Sequence, residues 1–298
     1  MENTIKRILL VTYLTKYNIK EVYRSLSFSK FSDYVEFFLS KNPSLNDKHI
    51  LDMNKYSIEK YEEMKYLGIS FLPIVSPSFP EQLKRIDQCP PMLFYKGCEL
   101  QDKDFVAIIG SRETTKYAQK TIEFFIDGLN ENNGVVSGLA KGVDSLAHSY
   151  SLSKNIYNVA ITANSLDSIY PSENYRLANK LLSSQSTIIT ELAIGINRGK
   201  KSFVERNRIQ SALSSIIIPI EMASKSGTMH TIDFCVRQDK WVVYKALTEE
   251  QKILEQYSGI SALKSRESLK QIIVKDDFDF ERIKQEINQT NKPSLFDI

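Results

Sequence analysis

A regular alternation of strand-like and helix-like segments between residues 105 and 247 is the strongest constraint on the fold of this chain. Six apolar runs lie in this region, and a segment with helical spacing follows each run except the last. The runs are Phe105–Ile109, Val135–Val136, Asn158–Thr162, Ser186–Thr190, Ser215–Ile220 and Trp241–Lys245. Strands joined by helices form parallel crossovers, and central parallel strands are apolar throughout because both of their faces are covered. The pattern therefore predicts an α/β fold with a Rossmann-like, doubly wound parallel sheet.

The regions on either side of this core differ from it in pattern. Residues 1–66 contain no glycine and have helix-like apolar spacing, which predicts a small N-terminal helical domain. From Gly68 the chain shows short apolar runs separated by prolines, as expected for strands and turns that lead into the core, so one domain is predicted over residues 67–247. Residues 248–298 are charged and helix-prone, which predicts a short helical segment and a tail.

Composition excludes several classes of protein. The 298 residues are 42% hydrophobic and carry 39 Lys and Arg against 36 Asp and Glu, a formal net charge of +3, which is typical of a globular protein rather than a disordered one. No apolar run is long enough to span a bilayer, so we expect a cytoplasmic protein with no membrane contact. Three cysteines and three histidines form no zinc pattern, and no metal or cofactor is predicted.

Small residues, hydroxyls and cations follow several of the predicted strands. In an open α/β sheet, ligands bind outside the carboxyl ends of the strands, where these loops meet. Glycine lets the backbone approach a ligand closely, helix N-termini offer free N–H groups, and cations neutralise phosphate oxygens. We therefore predict an anion-binding rim, although tight turns use glycine and serine for structural reasons too. Its predicted backbone residues are Gly110, Gly138, Gly142, Ser226 and Gly227, and the same loops supply Ser111, Arg112, Lys141 and Lys225.

A second basic element covers residues 197–208 and contains five cations and one acid. Phe203 and Asn207 lie among the cations, and this mixture of charge with aromatic and amide groups suits single-stranded nucleic acid. The alternative interpretation is a solvated loop that opens a helix. The candidate contact residues of this segment are Lys200, Lys201, Arg206, Asn207 and Arg208.

Acid–base and nucleophilic catalysis have little support in the sequence. Asp144 lies four residues before His148 and so shares a helical face with it, but no nucleophile motif accompanies them, and a structural histidine is expected. Glu191 and Glu221 each follow a predicted strand, where they either form a carboxylate pair or hold the Lys and Arg of the rim in place. The sequence predicts a binding protein with no catalytic residue.

Several ordered segments resemble the DNA-processing protein A family (DprA, also called Smf). They are Val106–Arg112 (VAIIGSR), Ser137–His148 (SGLAKGVDSLAH), Leu166–Asn174 (LDSIYPSEN), Arg206–Ile209 (RNRI) and Ser226–Thr231 (SGTMHT). The resemblance implies an extended Rossmann fold, binding of single-stranded DNA, dimerisation, and loading of RecA recombinase during DNA uptake and natural transformation. By position, it implies DNA contacts at Arg112, Lys141, Arg206 and Arg208.

The chain also departs from the family pattern. Ala163-Asn164-Ser165 replaces the usual glycines before the LD segment, Ser172 replaces a basic residue after Tyr-Pro, and Glu205 replaces the first Arg of the usual PRRNR run. Each change makes the surface less suited to DNA, and together they are expected to weaken binding.

Two further hypotheses come from resemblance. A Rossmann-like nucleotide-binding protein, or a nucleoside-monophosphate hydrolase of the LOG type, is the alternative function. Residues 224–231 (SKSGTMHT) lack the glycine pair and the glutamate of the LOG pattern PGGxGTxxE, which disfavours the hydrolase. The C-terminal Pro293–Phe296 loosely resembles peptides that bind the replication sliding clamp, a weaker candidate interaction.

Overall fold

The computed structural model describes residues 1–290. The chain begins with four helices that pack on one another: α1 (Glu2–Leu14), α2 (Ile19–Ser27), α3 (Phe31–Lys41) and α4 (Asp47–Tyr66). The amide of His49 donates to the side chain of Asn46, which caps the start of α4. Leu9, Val22, Tyr34 and Met64 are completely or almost completely buried among these helices. Residues 2–66 are thus mainly helical.

Nine strands of the described residues form one sheet in the order β1-β2-β6-β5-β4-β3-β7-β8-β9. The strands are β1 (Ser70–Pro73), β2 (Met92–Gly97), β3 (Asp104–Ile109), β4 (Asn133–Ser137), β5 (Tyr157–Ile161), β6 (Thr187–Thr190), β7 (Ile216–Pro219), β8 (Trp241–Lys245) and β9 (Gln271–Val274). Strands β3 to β9 pair in parallel, whereas β1 and β2 extend one end of the sheet in antiparallel fashion. The predicted doubly wound α/β fold is confirmed.

Helices cover both faces of the sheet. The helices after α4 are α5 (Glu81–Lys84), α6 (Ala118–Ile126), α7 (Val143–Ser153), α8 (Tyr175–Ser183), α9 (Lys201–Leu213), α10 (Thr228–Arg237), α11 (Glu249–Lys252), α12 (Ser258–Leu263) and α13 (Phe280–Thr290). Alternate residues of β3 explain the layering: Ala107 and Ile109 pack towards α5, α9 and α10, while Val106 and Ile108 pack towards α6, α7 and α13. The unbroken apolar runs of the sequence are thus strands covered on both sides.

The region after residue 247 contributes more to the core than the sequence indicated. The sequence predicts a helical segment and a tail here. In the structure, Gln271–Val274 forms the strand β9, which pairs in parallel with β8. Phe278, Phe280 and Ile283 then pack against the same core cluster as Val106 and Ile108. The sheet therefore continues past residue 247, because a short apolar run between charged residues is enough to form an edge strand. The candidate clamp-binding residues Pro293–Phe296 lie outside the described residues.

The direction of the chain across the sheet reverses at β3. The chain proceeds from β3 through β4 and β5 to β6 on one side, and β7, β8 and β9 lie on the other side. In such sheets, ligands bind where the strand order reverses, outside the carboxyl ends of the strands. The loops after β3 and β7 are therefore the first place to look for a site. None of the helices formed by residues 1–290 is long and apolar enough to cross a membrane.

Candidate functional site

A cleft of about 490 Å³ opens at this point of reversal, between the carboxyl ends of β3 and β7. The loop after β3, the start of α10 and one side of α9 form its walls. The lining residues that the sequence predicted are Gly110, Ser111, Arg112, Arg206, Asn207, Ser226 and Gly227. The structure thus brings together residues that are more than 100 positions apart in the sequence. We refer to this space as the cleft.

The loop after β3 is held in place by the buried carboxylate of Glu221. The side chain of Glu221 is fully buried, and it accepts hydrogen bonds from the Thr115 amide at 2.9 Å and from the Tyr257 hydroxyl at 2.9 Å. The Thr115 hydroxyl donates to it as well. The amide of Ser111 also donates to the Glu221 carbonyl at 2.8 Å. Glu221 therefore shapes the wall of the cleft by holding Thr115 and Tyr257, rather than by holding a cation of the rim.

Gly142 supports the same loop from the opposite side. Its φ is +77°, and a β-carbon at this position would lie 2.4 Å from the Ser111 carbonyl oxygen and 2.6 Å from the Arg112 carbonyl oxygen. Only glycine fits such a backbone conformation at such a close approach. The role of Gly142 is therefore to let the Ser111–Arg112 turn pack against the start of α7, although Gly142 does not itself line the cleft.

Arg206 forms the floor of the cleft. Its side chain is 7% exposed, its Nη1 donates to the Ile161 carbonyl at 2.9 Å, and its buried Nε has no partner within the described structure. Burial lowers the pKa of Arg206, and the nearby carboxylate of Asp144 opposes this effect, whereas Arg112 adds to it. Two guanidinium groups, one buried and one exposed at Arg112, thus face the same space. A bound anion would satisfy both.

A smaller chamber of about 250 Å³ adjoins the cleft and shares Arg112, Ala140, Phe203 and Arg206 with it. Tyr170 and Phe203 meet in its wall with their ring centroids 5.7 Å apart at 64°. The guanidinium of Arg112 lies over the Phe203 ring, 5.5 Å from its centroid. We call this space the aromatic chamber. It places ring surfaces directly beside the cationic cleft.

Lys141 lies at the mouth of the aromatic chamber together with Gly138. The ammonium of Lys141 forms an ion pair with Glu173 on the surface. Next to it, the Asn174 side chain donates to the Leu139 carbonyl at 2.8 Å, which joins the loop after β4 to the start of α8. Asn174 is therefore a residue that holds a loop, and Lys141 remains exposed to solvent.

Arg208, a predicted DNA contact, lines neither the cleft nor the aromatic chamber. It is 4% exposed, and its Nη1 and Nη2 donate to the two carboxylate oxygens of Glu191 at 2.6 and 2.5 Å. Its Nε and Nη2 also donate to the Gln88 carbonyl at 3.0 and 2.8 Å. Burial alone would lower the pKa of Arg208, but the paired Glu191 raises it overall. Arg208 joins α9 to the chain before β2 and has no donor left for DNA.

Glu205 reduces the charge of the basic segment. It accepts two hydrogen bonds from Arg198, each of 3.0 Å, and it lies 3.3 Å from the ammonium of Lys201. Lys200 is exposed but lines neither space, and the same holds for Lys201 and Lys225. These three lysines therefore contribute charge at the margin of the cleft and are not part of its walls.

The N-terminal domain is attached to the same segment through Tyr17. Its hydroxyl donates to Glu191, the carboxylate that pairs with Arg208. Its carbonyl accepts from Arg198 at 3.0 Å, and the Arg198 guanidinium lies over its ring at 5.4 Å. Burial raises the pKa of Tyr17 well above its ordinary value. Glu191 and Arg198 are thus fixed by polar contacts to Tyr17, which lies between α1 and α2.

His148 is a buried structural residue. It is fully buried, and its Nδ1 lies 2.9 Å from the Asn158 side-chain oxygen. Burial lowers its pKa, so the ring is neutral at pH 7. No group of acidic, cysteine or histidine residues within residues 1–290 has an arrangement suited to a metal ion. The histidine therefore supports β5 and α7 and lies outside the cleft.

The sequence interpretation did not assign a role to several cleft residues. Tyr170 lines the aromatic chamber, while Gln210, Thr228 and Thr231 line the cleft. Thr228 also donates to the Gly110 carbonyl at 3.1 Å, which joins the start of α10 to the loop after β3. The position of Thr228 beside Ser226-Gly227 was a usable signal, because the first residues of a helix near a glycine turn often face an anion. Nothing in the local sequence marks Gln210, which lies inside a helix.

Comparison with known proteins agrees with this architecture. The family model described as DNA recombination-mediator protein A matches residues 70–266, about two thirds of the chain. The chain belongs to the DNA recombination-mediator protein A family. The match covers strands β1 to β8 and every residue that lines the cleft, so the resemblance noted in the sequence is confirmed.

Individual relatives of the family differ in length from this chain. The DNA processing protein DprA of Streptococcus pneumoniae is 30% identical over 201 residues, which are 67% of this chain and 70% of that protein. Protein Smf of Escherichia coli is 31% identical over 173 residues, 57% of this chain and 46% of that protein. The matched region therefore spans only about half of the longer relatives.

Two solved structures resemble the chain. The X-ray structure of DNA processing protein A from Streptococcus pneumoniae superimposes with a TM-score of 0.66 at 24% identity, over 90% of this chain and 89% of that one. A structure of DNA processing protein A from Helicobacter pylori, described for its single-stranded DNA binding mode, has a TM-score of 0.61 at 25% identity, over 74% of this chain and 96% of that one. The recombination-mediator fold thus extends over most of the chain.

Proposed function

We propose that this chain binds single-stranded DNA in the cleft and the aromatic chamber and acts as a recombination mediator. The observation that carries the proposal is that the cleft and the aromatic chamber adjoin and share Arg112, Phe203 and Arg206 in their walls. Guanidinium groups bind phosphate oxygens, and aromatic rings bind the face of a base. A nucleotide of a DNA strand contains both groups within one unit.

Several features favour a single strand over a duplex. The rings of Tyr170 and Phe203 line the wall of a small chamber, and a base can reach them only when it is free of its neighbours. The related protein from Helicobacter pylori binds single-stranded DNA, which supports the same ligand here. Sequence selectivity is expected to be low, because ring stacking accepts any base.

We further propose that the chain binds DNA without cleaving or modifying it. The two carboxylates that follow strands are committed to structure: Glu191 pairs with Arg208, and Glu221 accepts from Thr115 and Tyr257. A nucleoside-monophosphate hydrolase of the LOG type is the competing function, since the cleft is large enough for a nucleotide. A hydrolase activity towards ATP or a nucleoside monophosphate would contradict the binding role, provided that the activity stays with the protein through purification.

The remaining partners are proposed from membership of the family. We propose that the protein acts in the cytoplasm as a homodimer that loads RecA recombinase onto single-stranded DNA during DNA uptake. Light scattering on the purified protein measures the dimer. RecA-dependent strand exchange, with and without the protein, measures loading.

The proposal is tested by the fluorescence anisotropy of a labelled oligo-dT strand at two salt concentrations. Arg112, Lys141 and Arg206 can reach phosphates, so log K should fall against log salt with a slope of about −0.7 × 3, or roughly −2. Arg112→Ala should weaken binding and should leave the melting temperature unchanged, because Arg112 is exposed. A duplex of the same length should bind more weakly. Binding that is equal for duplex and single strand, or unaltered by Arg112→Ala, would contradict the proposed site.

A further inference from the structure

A second concentration of positive charge lies away from the cleft, between α5, α9 and α10. A pocket of about 270 Å³ opens there, which we call the basic pocket. Its cationic lining residues are Arg85, Arg208, Arg237 and Lys240, and its acidic lining residue is Asp87. Arg208 is matched by Glu191, so three cations remain against one carboxylate. The pocket has a positive field that its own lining does not neutralise.

The two exposed guanidinium groups of the pocket are available to a ligand. The side chain of Arg85 forms no hydrogen bond and no ion pair with any residue between 1 and 290, and only its backbone amide donates, to the Leu83 carbonyl. Arg237 donates its Nε to the Asp233 carbonyl at 3.3 Å and lies over the Phe234 ring at 4.5 Å. The Asp233 carboxylate is already paired with Arg266 at 2.7 Å. Neither Arg85 nor Arg237 therefore has a carboxylate partner in the described structure.

Lys240 and Gln238 form the inner wall of the basic pocket. The Lys240 ammonium donates to the Ala212 and Ser214 carbonyls at 3.1 and 2.8 Å, which leaves one of its three N–H groups free. Burial lowers the pKa of Lys240, Cys235 opposes this effect, and the like charge of Arg85, which lines the same pocket, adds to it. The buried side-chain oxygen of Gln238 has no hydrogen-bond partner within residues 1–290. The wall thus offers one N–H donor of Lys240 and the amide oxygen of Gln238 as an acceptor, beside the guanidinium groups of Arg85 and Arg237.

The basic pocket and the cleft are neighbours along the same two helices. On α10, Thr231 lines the cleft and Phe234 lines the pocket, and three residues of helix rise by about 4.5 Å. On α9, Asn207 lines the cleft and Arg208 lines the pocket. The helix α10 therefore contributes its first turn to the cleft and its last turn to the basic pocket.

We propose that the basic pocket is a second phosphate subsite, in which Arg85 and Arg237 bind the backbone of the same DNA strand after it leaves the cleft. This inference rests on the proposed function. It predicts that the chain contacts more nucleotides than the cleft can hold. Single-strand binding folds commonly cover about 4 to 16 nucleotides, so both a short and a long contact are physically reasonable.

The test compares labelled dT strands of about 4 and about 16 nucleotides, the limits of that range, by anisotropy over a salt series. Arg85→Ala/Arg237→Ala should weaken binding of the long strand and make its salt slope less steep by about 2 × 0.7, or roughly 1.4. The short strand, which occupies only the cleft, should bind the variant and the wild type equally. Lys41→Ala/Lys48→Ala is the matched control, because it removes the same charge from exposed residues of the N-terminal domain and should leave both strands unaffected.

The possible failures can be told apart. If the long strand binds the Arg85/Arg237 variant as it binds the control, the basic pocket is not a DNA subsite. If both strands weaken equally, the two arginines act on the cleft from a distance, and the subsite is again rejected. If thymidine monophosphate stabilises the wild type but not the variant while the long-strand slope stays unchanged, the pocket binds a free nucleotide instead. If the wild type binds neither strand, the proposed function itself fails.

Discussion

The guanidinium of Arg206 lies directly against the backbone of Gly138, where a β-carbon would come within 1.9 Å of Nη1. No real β-carbon tolerates such a distance, so any other residue at position 138 must move the arginine. The glycine after β4 therefore lies behind Arg206, which lines both the cleft and the aromatic chamber. Its role is to leave space for a cation, a function that differs from the conformational freedom used at Gly142.

We expect Gly138→Ala to weaken binding of oligo-dT by displacing Arg206 from the cleft. A stability loss of about 1–3 kcal/mol is expected as well, because an extra methyl group is forced into a packed region. A double-mutant cycle checks the mechanism: Arg206→Ala and Gly138→Ala/Arg206→Ala should bind DNA with the same affinity. Additive losses would show that Gly138 acts on DNA binding by another route.

We expect Arg208→Ala to affect stability far more than Arg112→Ala does. Removal of Arg208 leaves Glu191 buried without its partner, and breaking such a pair costs about 3–5 kcal/mol. Arg112 is exposed, so its removal should affect only DNA affinity. Urea unfolding and dT anisotropy on both variants measure the two effects. A stable Arg208→Ala protein with weakened DNA binding would restore Arg208 as a contact residue.

Tyr17→Phe should lower the free energy of unfolding by about 1–3 kcal/mol. The substitution removes the hydroxyl that donates to the buried Glu191. Leaving a buried carboxylate oxygen without its donor lowers the free energy of unfolding by about that amount. Tyr66→Phe serves as the control, because Tyr66 is 91% exposed. Equal stability of the two variants in urea would mean that the Tyr17 hydroxyl does not contribute to the attachment of the N-terminal domain.

The stability of the protein should fall as pH decreases below about 7, in part because of His148. Burial holds the pKa of His148 below the ordinary value of about 6.5. The unfolded chain therefore binds a proton in a pH range where the folded chain does not, and the free energy of unfolding falls by up to about 1.4 kcal/mol per pH unit. His148→Gln should remove the pH-dependent contribution of His148 to the free energy of unfolding. The substitution also changes stability by an amount that is the same at every pH, which does not affect this comparison. Parallel curves of unfolding free energy between pH 7 and 5 for the two proteins would contradict the assignment.

The sequence predicted the parts of the fold that follow from local pattern. Unbroken apolar runs such as Val106–Ile109 become strands buried on both faces, and loops after parallel strands meet at one edge. The sequence therefore predicted that the loops at Gly110–Arg112 and Ser226–Gly227 share one rim, whereas it predicted Arg206 as part of a separate basic element. Strand β9 was missed, because four residues between charged neighbours give too little periodicity to distinguish a strand from a loop.

The different positions of Arg206 and Arg208 required the structure. Both are arginines in one basic run. Residues two positions apart on a helix are separated by about 200° around its axis, so Arg206 and Arg208 point to opposite sides of α9. The partner of Arg208 is Glu191, 17 residues earlier, and its pairing depends on how the loop before α9 folds. The aromatic chamber was also unassigned, because Tyr170 and Phe203 come from two segments that only the tertiary fold brings together.

The pairing of Arg198 and Arg208 with Glu205 and Glu191 has a consequence for the rate at which a strand is captured. Five cations occur between residues 197 and 208, but three of them, Arg198, Lys201 and Arg208, face a carboxylate within the folded chain. A diffusing polyanion responds to the field outside the protein, and association becomes faster and more sensitive to salt as that field grows. The encounter of DNA with this chain should therefore be slower, and less dependent on ionic strength, than a count of its basic residues implies.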